Sequence, residues 1–556
     1  MRPPPWNPPV ELSPVGQGIV KRIRRAKLFV ILREWRHELF DEAFQEDLGR
    51  LYAASRRGQP PVPPAQLALA TVLQAYVGCS DDEVIEATTM DRRWQLVLDC
   101  LDANRPPFSK GTLVAFRQRL IDHEADRRLI ERTVAVAEQR GGFGHRGLRA
   151  ALDSSPLWGA GRVEDTYNLL GHALRKALGV LARQQGRGLA DTATEAGAPI
   201  LGGSSLKAAL DLDWDDPAER TRALVAVLDA LNAVERYVDE SASASLAALD
   251  VARQVREQDV EPDAGGTPTV RRGVARERRI SIEDAEMRHG RKSRSHRVDG
   301  YKRHVLRDLD AGLIRAVGLT PANAPEAIVT DAIVADLDQQ EAHLGELHID
   351  RAYLSSALVR ERPRDLAIFC KAWPVRNGDR FAKTAFALDW EQRTIRCPNG
   401  AFLPFVPGGT VRFPATVCAA CPLRDRCTTR AHGRSVTIHP DERLLVELRR
   451  RQATPAGRAK LRERVAVEHA LATPSLTSVA GRGAAPAIAA PARTSSTSDA
   501  APSSTTSTSS PVYLSRARPD YLTDALGEAV ALALRQQARQ PSLQVGTLGD
   551  GTGLPA

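Results

Sequence analysis

Two short segments far apart in the chain, GLRAALD at 147–153 and GELHID at 345–350, alternate small or apolar residues with others and end in an aspartate. Leu148, Ala150 and Leu152 share one face of the first, as Leu347 and Ile349 do in the second, which is the pattern of half-buried strands. A chain that delivers Asp153 and Asp350 this way is constrained to a sheet whose strand ends can meet. The first strand is expected to close at Ser154 and Pro156.

The segments around these strands divide the chain. At 556 residues it exceeds one ordinary core. Residues 18–140 read as successive helices, through LFVILREWRHELF and QLALATVLQAYVG, with Ser80 and Ser109 placed as N-caps. Such a domain suits helix-turn-helix DNA binding or a dimerisation bundle. The second domain spans 147–472. Within it, 163–260 reads as a helical insertion followed by an unstructured stretch at 261–267. DGYKRHVLRDLD and AGLIRAVGLTPAN then form a hairpin turning at Asp310, Ala311 and Gly312, a helix covers 325–342, short strands surround cysteines at 388–440, and 440–472 is helical. Residues 473–520 are a low-complexity Ser, Thr, Ala and Pro segment expected to be disordered, and 521–556 form a tail with one helical pattern at 521–540.

Composition narrows the partners. A formal charge of +9 and a pI near 9.3 favour a polyanion, because clustered Lys and Arg release counterions from phosphates. No stretch reaches the ~18 apolar residues of a membrane span, and MRPPPWNPPV lacks the regions of a signal peptide, so no membrane partner and a cytoplasmic location are expected. Cys397, Cys418, Cys421 and Cys427 form C-x20-C-x2-C-x5-C, the knuckle spacing of a structural Zn²⁺ site, against the alternative of four reduced thiols. Cys79, Cys100 and Cys370 read as ordinary buried cysteines.

Two-metal phosphoryl transfer calls for about three converging carboxylates. Leu461, Val465, Glu468 and Ala472 follow at helical spacing, so Glu468 is expected in an apolar stripe, where a buried acid needs a cation; the alternative is a surface pair of Arg464 with Glu468. Arg291, Lys292, Arg294, Lys302 and Arg303 cluster beside these elements as candidate DNA phosphate contacts, the alternative being a solvated basic face.

The stretches ALDSSPLWGAGRVEDTYNLL, GELHIDRAYLSS and RVAVEHALA resemble the three catalytic blocks of DDE transposases of bacterial insertion sequences, in the group usually numbered eleven-eighty-two. QLALATVLQAYVGCSDDEVIEATTMDRRWQLVLD, PFSKGTLVAFRQRL, MRHGRKS, DGYKRHV and GLTPAN extend the resemblance over about 25–472. It implies an α/β, RNase H-like catalytic core in which Asp153, Asp350 and Glu468 hold two Mg²⁺ or Mn²⁺ ions. It also implies double-stranded DNA as partner, cleavage at terminal inverted repeats, strand transfer into target DNA, a homodimer in the synaptic complex, and association with the nucleoid.

The resemblance stops after Ala472, where the Ser- and Thr-rich tract begins. With GC-rich codons chosen freely and read one nucleotide earlier, that tract is compatible with a basic peptide similar to the missing family segment, which is the basis for expecting a net frameshift near codon 472. The rival expectations are a catalytically inactive remnant that retains DNA binding, and an RNase H-like nuclease without transposition.

Overall fold

The computed structural model describes residues 2–472 apart from 25, 54–58, 78, 102, 124, 126, 140–146, 160, 240–241, 274, 276 and 292–294. The low-complexity segment and the C-terminal tail lie outside the described residues.

Eight helices among the described residues, from Pro14–Arg22 to Arg128–Gln139, build the first part of the chain. Ser80 begins Asp81–Met90 with a capping box: its hydroxyl accepts from the Glu83 amide at 3.3 Å and its own amide donates to the Glu83 carboxylate at 2.6 Å. Ser109 caps Lys110–Asp122 in the same sense. The fully buried Arg36 donates to the carbonyls of Pro9 at 2.9 Å and Val97 at 3.0 Å, which ties the proline-rich lead to the bundle. The last helix, Arg128–Gln139, turns Ile130 and Val134 toward the sheet that follows.

That sheet has six strands: β1 (Leu148–Trp158), β2 (Arg288–Arg291), β3 (Arg297–Asp308), β4 (Ile314–Pro321), β5 (Leu344–Ile349) and β6 (Ala367–Phe369). Its order is β2-β3-β1-β5-β6, with β4 also paired to β3. β1 runs antiparallel to β3 and parallel to β5, and β5 is parallel to β6. The β3–β4 turn forms where expected, with the Asp308 carboxylate accepting the amides of Asp310 and Ala311 at 2.8 and 2.9 Å.

β1 does not close at Ser154. It continues five residues past Asp153, through Pro156, paired with β3 as far as Trp158↔Gly300. The Gly159 amide donates to Asp299 of β3 at 2.8 Å, so alternation turns Pro156's missing N–H to the opposite side, where β5 has already ended at Ile349. Proline is tolerated there because no ladder bond is lost.

One face of the sheet packs Leu152, Leu306, Leu347 and Ile349 against the helix α1 (Thr330–Gln339). The other carries Arg149, Ala151 and Asp153 of β1 beside His348 and Val305 of the neighbouring strands. Three C-terminal helices follow the small β-rich insertion: α2 (Glu442–Ala453), α3 (Pro455–Arg462) and α4 (Val465–Ala472). Val467 of α4 is fully buried against Ala151, Val305, Ile314 and Val317, which seats that helix on the second face.

Five helices from Thr166–Gln184 to Ser243–Asp259 fill the interval between β1 and β2 among the described residues, around their own core. The stretch after them is not unstructured. Val260–Pro262 and Pro268–Val270 pair as a short hairpin, because the Asp263 carboxylate accepts the amides of Gly265 and Thr267 at 2.8 and 2.9 Å. Between β6 and α2, five short strands enclose Phe386, Ile395, Phe405, Phe413 and Ile438.

Candidate active site and thiol cluster

The register of β1 brings the two aspartates together. Leu152 pairs with Leu306 on one side and Ile349 on the other, and Asp153 and Asp350 are the next residues on adjacent parallel strands. Their carboxylates therefore share the C-terminal edge of the sheet, where open α/β sheets leave room for ligands. Beyond this point β1 has lost its β5 neighbour, and the freed Ser154 amide donates to Asp153 Oδ1 at 2.9 Å. The Asp350 carboxylate accepts the Arg351 amide at 2.5 Å.

Glu468 reaches the same place from α4, but not from an apolar stripe. A turn at 463–464 interrupts the helix between α3 and α4, Val467 is the buried residue, and the Glu468 side chain is 46 % exposed. The helix that would have buried Glu468 is thus out of phase with Leu461. The alternative pair is present: Arg464 Nη2 lies 2.7 Å from Glu468 Oε1. The same guanidinium donates through Nη1 to Asp153 Oδ2 at 2.6 Å.

These acids line an open cleft of about 520 Å³ with Arg291, Lys302, Glu326 and Arg464. Burial pushes the Asp153 carboxyl above its ordinary pKa; Arg464 and the Ser154 amide pull it down, while Glu468 and Asp350 push it further up. Three carboxylates that repel one another in one cleft are the oxygen donor set that a divalent ion takes. Among the described residues, however, the ligand-type side chains that come within 4.8 Å of one another are Glu346, His348 and Glu463, whereas Arg464 stands between Asp153 and Glu468.

Sequence reasoning missed the support beneath the acids. His304, paired with Ser154 across the strands, is fully buried, and its ring nitrogens meet the Tyr353 hydroxyl at 2.7 Å and the Thr320 hydroxyl at 2.9 Å. Burial and then Lys302 push His304 down to about 3, so it is neutral and serves as a fixed hydrogen-bond bridge. Tyr353 is pushed up by burial and by Glu326, Asp153 and Asp350. The visible signal was a histidine inside the otherwise strand-like DGYKRHVL. Glu326, the fourth acid of the cleft, had no such signal because it lies in a short 3-10 turn, Glu326–Val329.

The basic residues separate. Arg291 and Lys302 line the cleft, Lys302 Nζ lying 2.9 Å from the Ala324 carbonyl and 3.6 Å from Glu326. Arg303 does not join them: it is 5 % exposed, with Nε on Ser155 Oγ at 3.1 Å, so it ties β3 to β1 and offers no face to a phosphate. Lys292 and Arg294 lie outside the described residues.

Cys397, Cys418, Cys421 and Cys427 line one small pocket of the β-rich insertion together with Arg434. Burial pushes the Cys427 thiol up, Arg434 opposes it, and the other three thiols add to the rise. Soft thiol donors converging from the turn at Cys397 and from the short helix Ala415–Ala419 with the turns after it suit zinc chemically, although no three of the sulfurs lie within 4.8 Å of one another. All seven cysteines are free thiols; Cys370 is buried, whereas Cys79 and Cys100 are only partly so. Among the described residues no helix is long and apolar enough to cross a membrane.

No curated protein and no solved structure matches the chain. Two family models do: a transposase domain (DUF772) over residues 25–119, and a transposase DDE domain over residues 397–479. The second match contains the four cysteines and Glu468; Asp153 and Asp350 lie between the two matches. A DDE domain implies an RNase H-like core and the use of divalent metal. A transposase domain at 25–119 and a transposase DDE domain at 397–479 support a DDE-type transposase.

Proposed function

We propose that this chain is the transposase of an insertion sequence of the eleven-eighty-two group, cutting DNA at the element's terminal inverted repeats and joining the freed ends to target DNA. The observation that carries the reading is the meeting of Asp153 and Asp350 at adjacent strand ends with Glu468 on α4, in a cleft that also presents Arg291 and Lys302. A sheet of antiparallel strands flanked by two parallel ones, with acids at the shared edge and a helix across it, supports an RNase H-like core.

Asp153, Asp350 and Glu468 would hold two Mg²⁺ or Mn²⁺ ions, which supply activation of the attacking oxygen and stabilisation of the leaving one. Water attacks the scissile phosphate, its oxygen bonds to phosphorus, and the bond to the 3′ oxygen breaks as that oxygen gains a proton. The resulting 3′ hydroxyl then attacks a target phosphate and displaces the target's own 3′ oxygen. Arg291 and Lys302 orient the backbone through its phosphates. Buried, neutral His304 and Tyr353 keep the floor of the site rigid. A homodimer aligns two ends in the cytoplasm, on the nucleoid, and Cys397, Cys418, Cys421 and Cys427 hold a structural Zn²⁺ once their side chains close on it.

One observation favours a second reading, a remnant that binds DNA without cutting it: Glu468 is half-exposed and bound to Arg464, near the point where the chain turns to Ser and Thr. The DDE-domain match ends at residue 479, close to the frameshift we place near codon 472. The functional test is cleavage and joining with a plasmid carrying the gene's own flanking DNA. Metal-dependent nicking followed by joined products supports the transposase, and nicking without joining would indicate a nuclease. Binding without nicking would indicate the remnant. Reading the gene across codons 465–515 tests the frameshift separately.

A further inference from the structure

On the same face of the sheet as the acids lies a charge network that the steps above do not use. The Glu346 carboxylate accepts from Arg149 Nε at 3.1 Å, Lys460 Nζ at 2.8 Å and His348 Nε2 at 2.8 Å. Glu463, which caps α3, pairs with the same Arg149 and, at 3.4 Å, with Lys460. Arg149 also reaches Asp310 in the β3–β4 turn at 2.6 Å. The His348 ring, 1 % exposed, stacks on Phe369 of β6 with centroids 4.8 Å apart and planes 14° from parallel. The network therefore joins β1, β5, β6 and the β3–β4 turn to the end of α3.

Glu346, His348 and Glu463 are close enough to invite a cation, but Arg149 and Lys460 already set two positive charges against the two carboxylates. A metal ion there would have to displace those bonds. The position of the network is more informative. Arg464, the residue after Glu463, holds Asp153 and Glu468, and Glu468 is little more than one helical turn further on. α4 has eight described residues, and where they sit on the sheet depends on what pins them. The pins are buried Val467, the bond from Arg307 to the Ala466 carbonyl at 3.1 Å, and this network at its entrance.

We propose that Glu346, through Lys460, Arg149 and Glu463, is a positioning residue that fixes where α4 begins and so keeps Glu468 facing Asp153 and Asp350. The inference rests on the metal-binding reading of those three acids. It follows from the steepness with which function depends on placement: a misplacement of about 1 Å, even from a change remote from the chemistry, is felt on the order of a hundredfold.

Mn²⁺ titration of the full chain, read by electron paramagnetic resonance, tests it without requiring turnover. The variants are Asp153→Asn, Glu346→Gln, Glu346→Asp, Lys460→Met and the Glu346→Gln/Lys460→Met double, each checked by thermal melt and by affinity for flanking-sequence DNA. Asp153→Asn is expected to abolish the tight Mn²⁺ site. Glu346→Gln and Lys460→Met are each expected to weaken it about tenfold, as changes outside the ligand set do, and the double variant no more than either alone. Glu346→Asp should recover most of the loss, and DNA affinity should stay put. Lys460→Met probes the pair from the helix side, so a failure of Glu346→Gln to fold leaves the question answerable. Wild-type Mn²⁺ affinity in Glu346→Gln and Lys460→Met alongside loss in Asp153→Asn overturns the positioning role alone; wild-type affinity in Asp153→Asn overturns the metal reading beneath it.

Discussion

Arg464 Nη1 lies 2.6 Å from Oδ2 of Asp153, so the strand-borne acid is tied to the residue that starts the C-terminal helix. The other arm of the guanidinium takes Glu468 at 2.7 Å. A single side chain thus stands between two of the three acids in the position that a bridging cation would compete for.

That competition sets the first prediction. Arg464→Gln removes two charge-assisted bonds that must break or rearrange when a metal enters. Such bonds are worth about 1.5–3 kcal/mol each, so even if only one of them must break, Mn²⁺ should bind at least about tenfold more tightly to the variant. Weaker binding in the titration would make Arg464 a support of the site, not a competitor.

The raised pKa of Asp153 sets a second. A carboxyl whose folded pKa lies above its unfolded one favours folding fully below the unfolded value, roughly 3.9, and loses that contribution as pH rises through the folded value. Asp153→Asn should therefore raise the Tm at pH 7 in the absence of divalent metal and leave it nearly unchanged near pH 3. A variant melting lower than wild type at pH 7 would show that the Arg464 contact outweighs desolvation.

How much of this was legible in the sequence follows the physics of each element. Strand alternation marked Asp153 and Asp350 because period-2 patterning records which face is buried. The extension of β1 through Pro156 was hidden, since it depends on where β5 stops, a fact that resides in another segment. Glu468 was found through a spacing argument that the break before Val465 invalidates; the residue reaches the cleft edge, but exposed and paired. Arg303 could not be told from Arg291 by sequence, because burial of a guanidinium is a property of the pairing between β1 and β3. His304 and Tyr353 meet across 49 residues and left only a polar interruption in an apolar run.

Gly300 offers a stability prediction. Its φ is +150°, and a Cβ there would fall 2.1 Å from the Gly159 amide nitrogen and 2.5 Å from the Leu157 carbonyl. Gly300→Ala must push β3 away from the end of β1, at a cost of about 3 kcal/mol. Denaturant melts should show this as a lower midpoint, and an unchanged midpoint would mean that the strand ends are not packed as described.

For the thiol cluster, purified protein is expected to carry about one zinc per chain by elemental analysis and to lose it in Cys421→Ser. Because burial and the neighbouring thiols raise Cys427, zinc uptake by the stripped protein should weaken as pH falls. Full zinc content in Cys421→Ser would remove the cluster from consideration as its site.

Whether Asp153, Asp350 and Glu468 cut DNA is decided by strand cleavage of a plasmid bearing the gene's flanking sequence, with Mn²⁺ or Mg²⁺, by wild-type chain and by Asp350→Asn. Nicking is expected to require the metal and to fall by on the order of a thousandfold in the variant, while DNA affinity is retained. Equal nicking by Asp350→Asn, or nicking that survives chelation, would contradict that expectation.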